Sequence, residues 1–274
     1  MTSQTINPPD LNTMRIEIDG EIGILTLDRP DSFNAMSPEM IGELTVAFSW
    51  LADRAPLRAL IITGAGKAFC SGGDVNWFRK GVESEELDLP SEVRRGAEAL
   101  HQAIVDMRRI PYPVIAAVNG PAAGAGFSLA LACDIRIAAE TAFFACAYGR
   151  IGASPDGGMT YFLPRVVGPS RALELLLEDP NMSAQDALAE GLVREVVPAE
   201  ELLGAARAKA EQLGSMAPHY VRMAKRLCGV SIENSLTEHL QLERHGIADS
   251  MATEDLRKGV AAFFAGEKPQ FHGR

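Results

Sequence analysis

Three short segments combine small residues with an acid in a way that could do chemistry. The first is Phe69-Cys-Ser-Gly-Gly-Asp74, which follows the apolar run Ala59–Thr63 and the turn Gly64-Ala65-Gly66. A strand ending in small residues exposes backbone N–H groups that can hold an anion or a polarised carbonyl, and Asp74 can cap a following helix. An ordinary strand-to-helix turn gives the same pattern. The second is Asn119-Gly-Pro-Ala-Ala-Gly-Ala-Gly126, which leads from the apolar run Val114–Val118 into Phe127-Ser128-Leu129. The third is Gly152-Ala-Ser-Pro-Asp156-Gly-Gly158. An acid ahead of two glycines in apolar surroundings is a turn residue, a helix cap, or a desolvated carboxylate poised for proton transfer.

These segments need elements to position them. Ile16, Ile18, Ile22 and Ile24 recur at a period of two around Asp19-Gly20, which predicts a β-hairpin with all four on one face. Ser37-Pro38-Glu39 supplies a helix cap, and Met40, Ile41, Leu44, Phe48 and Leu51 follow at helical spacing. Ala59–Thr63, Val114–Val118 and Ile135–Ala139 read as short buried strands, and a helix is predicted from near Ser91 to Arg109, stopped by Pro111 and Pro113. Glu83–Arg95 reads as a charged surface loop running into that helix. Beyond about Pro198 the composition turns to helix formers. The expected organisation is a tail over 1–13, an α/β core over 14–199 and a helical region over 200–274.

The chain has 274 residues, 47% hydrophobic and 23% charged, as in globular enzymes. Its net charge of −10 argues against nucleic acid and anionic membranes as partners. The four cysteines (Cys70, Cys133, Cys146, Cys228) form no CxxC pair, which argues against a disulfide framework or a metal site. No secretory leader or membrane span is read, so the expected location is cytoplasmic. Gly120, Gly124 and Gly126 are spaced like the phosphate loop of short-chain dehydrogenases. Such an enzyme also needs Tyr-x-x-x-Lys, yet Tyr112, Tyr148, Tyr161 and Tyr220 are followed four residues on by Ala116, Gly152, Arg165 and Ala224.

Taken together, the segments resemble the crotonase (enoyl-CoA hydratase/isomerase) superfamily. The matching pieces are Leu27-Asp-Arg-Pro…Asn34-Ala35, Phe69-x-x-Gly-Gly-Asp74, Asn119–Gly126 with Ala-Cys-Asp134-Ile-Arg, and Gly152-x-x-Pro-Asp156-Gly-Gly. Ser183-Ala-Gln-Asp-Ala…Gly191-Leu-Val and Phe263…Lys268-Pro-x-Phe271 extend the match over roughly residues 14 to 271. The resemblance implies an α/β spiral of ββα units with a helical C-terminal trimerisation region. It also implies an acyl-CoA thioester substrate, no separate cofactor because coenzyme A is part of that substrate, and a homotrimer or dimer of trimers. Its common device is an oxyanion hole, here the N–H groups of Gly73 and Ala125. Arg29, Asn34, Ala35, Ser71, Gly72, Asp74, Val75, Phe263 and Lys268 fall where the thioester and its phosphates would be bound, with Lys268 supplied by a neighbouring copy.

Hydratases that the chain resembles use two glutamates on water. The corresponding positions here are Ser128, two residues after Gly126, and Tyr148, eight before Asp156. One carboxylate, Asp156, is left. In overall look the chain is most similar to the epoxyphenylacetyl-CoA isomerase type, so the expected activity is an isomerase that moves a double bond or opens a ring epoxide. The alternatives are a hydratase with an unusual second catalytic group and a non-catalytic acyl-CoA binder. Asp134 and Arg165 are expected to be structural, and Asp74 to be a helix cap. Of the five histidines, none lies in a motif that carries the resemblance.

Overall fold

Strands β1 (Met14–Asp19) and β2 (Ile22–Leu27) pair antiparallel across Gly20-Glu21, with Gly20 at a φ of +62° that favours glycine. The computed structural model describes residues 7–273. The hairpin is as expected, but its faces are not. The two-residue turn sets Asp19 opposite Ile22 and Ile16 opposite Leu25, so odd positions of β1 share a face with even positions of β2. Ile22 and Ile24 therefore lie with Asp19 and Glu17, whereas Ile16 packs with Leu25 on the other side.

Helix α1 (Pro38–Asp53) starts at Ser37, whose hydroxyl accepts from Met40 N at 3.2 Å, and it buries Met40, Leu44, Phe48 and Leu51. Strand β3 (Ala59–Gly64) follows, then α2 (Val75–Glu83), a short loop, and α3 (Leu89–Arg109) capped by Asp88. Part of the expected charged loop is thus helical. Strands β4 (Val114–Val118) and β5 (Ala122–Ala123) lead into α4 (Ala125–Ala132), every residue of which is buried. The remaining core elements are β6 (Ile135–Ala139), β7 (Phe143–Ala145), α5 (Met159–Val167), α6 (Pro169–Glu178), β8 (Met182–Ser183), α7 (Ala184–Ala189) and β9 (Glu195–Val197).

The main sheet has the order β1-β2-β3-β4-β6-β9, parallel except for the β1–β2 pair, and β5-β7-β8 form a small second sheet. One face of the main sheet packs on α1, α3 and α4. The other carries Ile22, Ile24, Ile61, Ile115 and Ile137, and is covered by Leu202, Ala206 and Ala210 of α8 (Leu202–Gly214). The first helix of the expected C-terminal region is therefore a wall of the core. Helices α9 (Pro218–Val230), α10 (Leu236–Met251) and α11 (Glu254–Ala265) extend beyond it. Asp134 ties α9 to the core, pairing with Lys225 at 2.6 Å and Arg108 at 2.8 Å while accepting from Val114 N.

Of the expected tail, residues 1–6 lie outside the described residues. Asn12 and Thr13 are held by Glu43, which accepts from their N–H groups at 2.7 and 2.8 Å and from the Thr13 hydroxyl at 2.5 Å. Burial works to raise the Glu43 pKa, but these hydrogen bonds outweigh it and leave it below the ordinary value of 4.5. A carboxylate depressed on folding contributes stability above its unfolded pKa, and that stability is lost as pH falls through the folded value. Hydrogen exchange at Asn12 and Thr13 is expected to accelerate as pH drops below about 4.5, relative to other protected amides. The Glu43→Gln variant should show fast exchange at neutral pH.

Candidate active site

The C-terminal ends of β2, β3 and β4 each run into a loop, and two asparagines knit these loops together. Asn34 is fully buried; its Oδ1 accepts from Arg29 N at 2.9 Å and its Nδ2 donates to the carbonyls of Ala65 and Ala68. It sits at a φ of +54°, a conformation asparagine tolerates better than most residues. Asn119 accepts from Gly64 N at 3.1 Å and donates to Gly66 O and Ala68 O. Backbone bonds complete the weave: Met36 N to Gly72 O at 2.8 Å, Asp74 N to Met36 O, and Ala123 N to Cys70 O at 3.0 Å. Burial pushes the Cys70 thiol up to about 12, which makes this cysteine packing and not a nucleophile.

Within this weave two backbone donors are left over. Among the described residues neither Gly73 N–H nor Ala125 N–H has a hydrogen-bond acceptor. Ala125 is the first residue of α4, where helix geometry leaves the N–H free and the helix dipole favours negative charge. The two segments touch, since a Cβ built on Gly72 would lie 3.5 Å from Ala125 N. Gly72 (φ +101°) and Gly124 (φ +51°) turn the chain into place at the two donors. The ring of Phe78 rests against Gly73, close enough that a Cβ there would meet it at 2.9 Å.

Asp156 lies in the loop before α5 and meets α4 at Ser128, one helical turn beyond Ala125. Ser128, three residues after Ala125, is fully buried and donates to Asp156 O at 3.0 Å. Its hydroxyl also lies 3.1 Å from the Tyr148 hydroxyl, which donates to Asp156 Oδ1 at 2.7 Å. Three residues of helix rise about 4.5 Å, so Ser128, which holds the Asp156 carbonyl, lies about one turn of α4 from the Ala125 donor. Gly157 (φ +60°) and Gly158 (φ +83°) turn the chain from Asp156 into α5, and Met159 N donates to Asp156 O at 3.1 Å. Burial, then the adjacent Asp156 charge, holds the Tyr148 phenol above its ordinary pKa, so it stays protonated and able to donate. The positions matched to the two hydratase glutamates thus meet at Asp156 and carry hydroxyls.

One residue here had no signal in its own segment. His101, on α3, accepts from Gly157 N at 3.3 Å through Nε2, which brings an exposed imidazole against the residue next to Asp156. Its only sequence cue was its place one residue after the buried Leu100.

Other expected site residues are placed differently. Arg29 is not a free cation for a phosphate: its guanidinium donates to Ala35 O and pairs with Asp74 at 3.1 Å. Asp74 caps α2 as expected, accepting from Asn76 N and Trp77 N. The Asn34 amide is spent on loop backbone, so it braces the site and offers nothing to a ligand. Ala35 is buried, Gly72 gives its carbonyl to Met36 N, and Ser71 and Val75 are exposed at the mouth of the loops. Phe263 is exposed on α11, away from these loops. Lys268 lines a cleft with Ile22 and Arg58 at the opposite end of β2 and β3, about 20 Å away over six strand residues. Within one chain neither residue joins the site.

The β3 and β4 loops thus present two free N–H groups able to hold an oxygen as it takes on negative charge, with the Asp156 loop anchored one turn along α4 at Ser128. Residues 17–274 match the family model described as Enoyl-CoA hydratase/isomerase. The chain is 39% identical to a protein of Rhodobacter capsulatus named "Probable enoyl-CoA hydratase", over 96% of this chain and 99% of that one. It is 37% identical to the 1,2-epoxyphenylacetyl-CoA isomerase of Escherichia coli, over 91% and 94%. Among solved structures, an enoyl-CoA hydratase from Polaromonas sp. JS666 superposes with a TM-score of 0.88 at 36% identity, covering 94% and 99%. The chain belongs to the enoyl-CoA hydratase/isomerase family and has its crotonase fold. No helix among the described residues is long and apolar enough to cross a membrane.

Proposed function

We propose that the protein is an acyl-CoA isomerase that moves a double bond, or opens a ring epoxide, through a thioester enolate. The carrying observation is that Asp156 brings the one carboxylate to the place where Ser128 and Tyr148 meet, Tyr148 on its Oδ1 and Ser128 on its backbone carbonyl. The thioester carbonyl sits between Gly73 N–H and Ala125 N–H, which stabilise the negative oxygen as it forms. Asp156 takes a proton from the carbon beside the carbonyl and returns it to a more distant carbon. Hydration instead needs a water held and split by two groups of suitable basicity. A protonated phenol and a serine hydroxyl fulfil that role poorly.

Coenzyme A enters as part of the substrate, over the exposed Ser71 and Val75. Exposed apolar side chains on α10 and α11, Phe263 at 78% and Phe264 at 84% among them, support contact between copies in a homotrimer. Such an assembly gives Lys268 a route to a neighbour's phosphates. A cytoplasmic place in fatty-acid or aromatic-acid breakdown suits this substrate class.

Hydration is the second reading, favoured by the names of relatives such as the Rhodobacter capsulatus protein. A panel of 3-enoyl-, 2-enoyl-, dienoyl- and arylacetyl-CoA thioesters separates the two. Conversion of 3-enoyl- to 2-enoyl-CoA with little hydration of crotonyl-CoA is expected. Rapid hydration would overturn the isomerase reading, and binding without turnover would mark a non-catalytic binder.

A further inference from the structure

We infer that Tyr148 and Ser128 are positioning residues that lock Asp156 so that one carboxylate oxygen, Oδ2, carries the transferred proton. This rests on Asp156 being the acid/base. The Tyr148 hydroxyl donates to Asp156 Oδ1 at 2.7 Å, while Ser128 gives its one proton to the Asp156 carbonyl at 3.0 Å and packs its oxygen 3.1 Å from that of Tyr148. Ser128 is fully buried on α4, so the arrangement is fixed from the rigid centre of the fold. A partly buried phenol that keeps its proton can only donate, and the shorter of its two contacts with Asp156, 2.7 Å to Oδ1 against 3.1 Å to the backbone carbonyl, engages Oδ1. No donor among the described residues reaches Oδ2.

The consequence is a single proton carrier. For a 3-enoyl thioester, Oδ2 removes the proton at C2, and the C–H electron pair forms the enolate whose charge rests on the carbonyl oxygen at Gly73 and Ala125. The pair then returns to form the C2=C3 bond, the old C3=C4 pair takes the proton from Oδ2 at C4, and the carboxylate is regenerated. A locked carboxylate has no second oxygen to trade protons with water, so the proton delivered is largely the one removed.

The test uses a 3-enoyl-CoA dideuterated at C2, turned over in ordinary water by the full-length enzyme, with deuterium at C4 of the product counted by mass spectrometry. Wild type is expected to retain most of the transferred label. Tyr148→Phe, which removes one oxygen, should lower kcat about 10- to 100-fold, the size of one hydrogen bond to a charged group, with KM within about twofold. Its product should carry clearly less label, and Ser128→Ala should move both readouts in the same direction by less. Wild-type label retention in Tyr148→Phe would overturn the positioning role, whatever its kcat, as would complete washout in wild type. Asp156→Asn run alongside separates the two claims. If it retains full activity, the acid/base reading itself fails; if it is inactive while Tyr148→Phe matches wild type, only the positioning role falls.

Discussion

Replacing Asp156 with Asn is expected to lower isomerisation of a 3-enoyl-CoA about 10²- to 10⁴-fold, the usual contribution of a positioned acid/base group. The substitution is close to isosteric. The amide oxygen still accepts from Tyr148, and the backbone carbonyl of residue 156 still receives Ser128 and Met159 N, so the turn keeps its bonds. What is lost is the capacity to hold a proton between removal and return. Affinity should change little, because Gly73, Ala125 and the exposed mouth at Ser71 and Val75 are untouched, so the loss should sit in kcat. Steady-state kinetics with a calorimetric Kd for an unreactive acyl-CoA measure both parts. Turnover within threefold of wild type would remove Asp156 from the mechanism.

Gly126→Ala is expected to cost both stability and activity. A Cβ at residue 126 would lie 2.1 Å from Cys70 O and 2.7 Å from Cys70 Cβ, a clash with backbone. Neither side can yield cheaply, because Cys70 O already accepts from Ala123 N at 3.0 Å and Cys70 N is bonded to Pro121 O. Relief requires the β3 and β4 loops to part. Overpacking of this kind costs about 3 kcal/mol, which for a domain of this size lowers Tm by roughly 6–12 °C. The same parting separates Gly73 N–H from Ala125 N–H, so kcat should fall about 10²-fold in the surviving folded enzyme. Calorimetry and kinetics below the lowered Tm report the two effects; a variant with wild-type Tm would contradict the close approach.

Much of the frame was legible in the sequence because local periodicity encodes it. Period-two and helical patterns located β1 to β4, α1, α3 and the C-terminal helices, whereas Gly73 and Ala125 were singled out only through the family resemblance, because the small-residue runs alone read equally as ordinary turns. Facing was harder. Parity across the Gly20-Glu21 turn depends on its length in the folded hairpin, so the isoleucines divided between two faces although their spacing looked uniform. Loop polarity was ambiguous for a different reason. Arg29 and Asn34 have the donors a ligand would want, and the same donors are what a neighbouring loop's carbonyls need. Contacts at long sequence separation left no local trace at all. The bonds joining Ser128, Tyr148 and Asp156 span 8 to 28 residues, and His101 meets Gly157 from 56 residues away. Lys268 matched a motif, but strand length puts it at the wrong end of its own sheet, which only a second copy can remedy.

The cover that α8 provides has a consequence for how the chain is made. Strands β1 to β6 are complete once Ala139 has been synthesised, while Leu202, which begins the helix over Ile22, Ile24, Ile61, Ile115 and Ile137, comes some sixty residues later. At typical translation rates of about 5–20 residues per second, that leaves the apolar face bare for roughly 3 to 12 s on the ribosome. A chain interrupted before α8 would display a row of isoleucines to water, a ready seed for aggregation. The nascent protein therefore has its greatest need of a chaperone in that interval, after the loops of Gly73 and Ala125 have been made and before its last wall is in place.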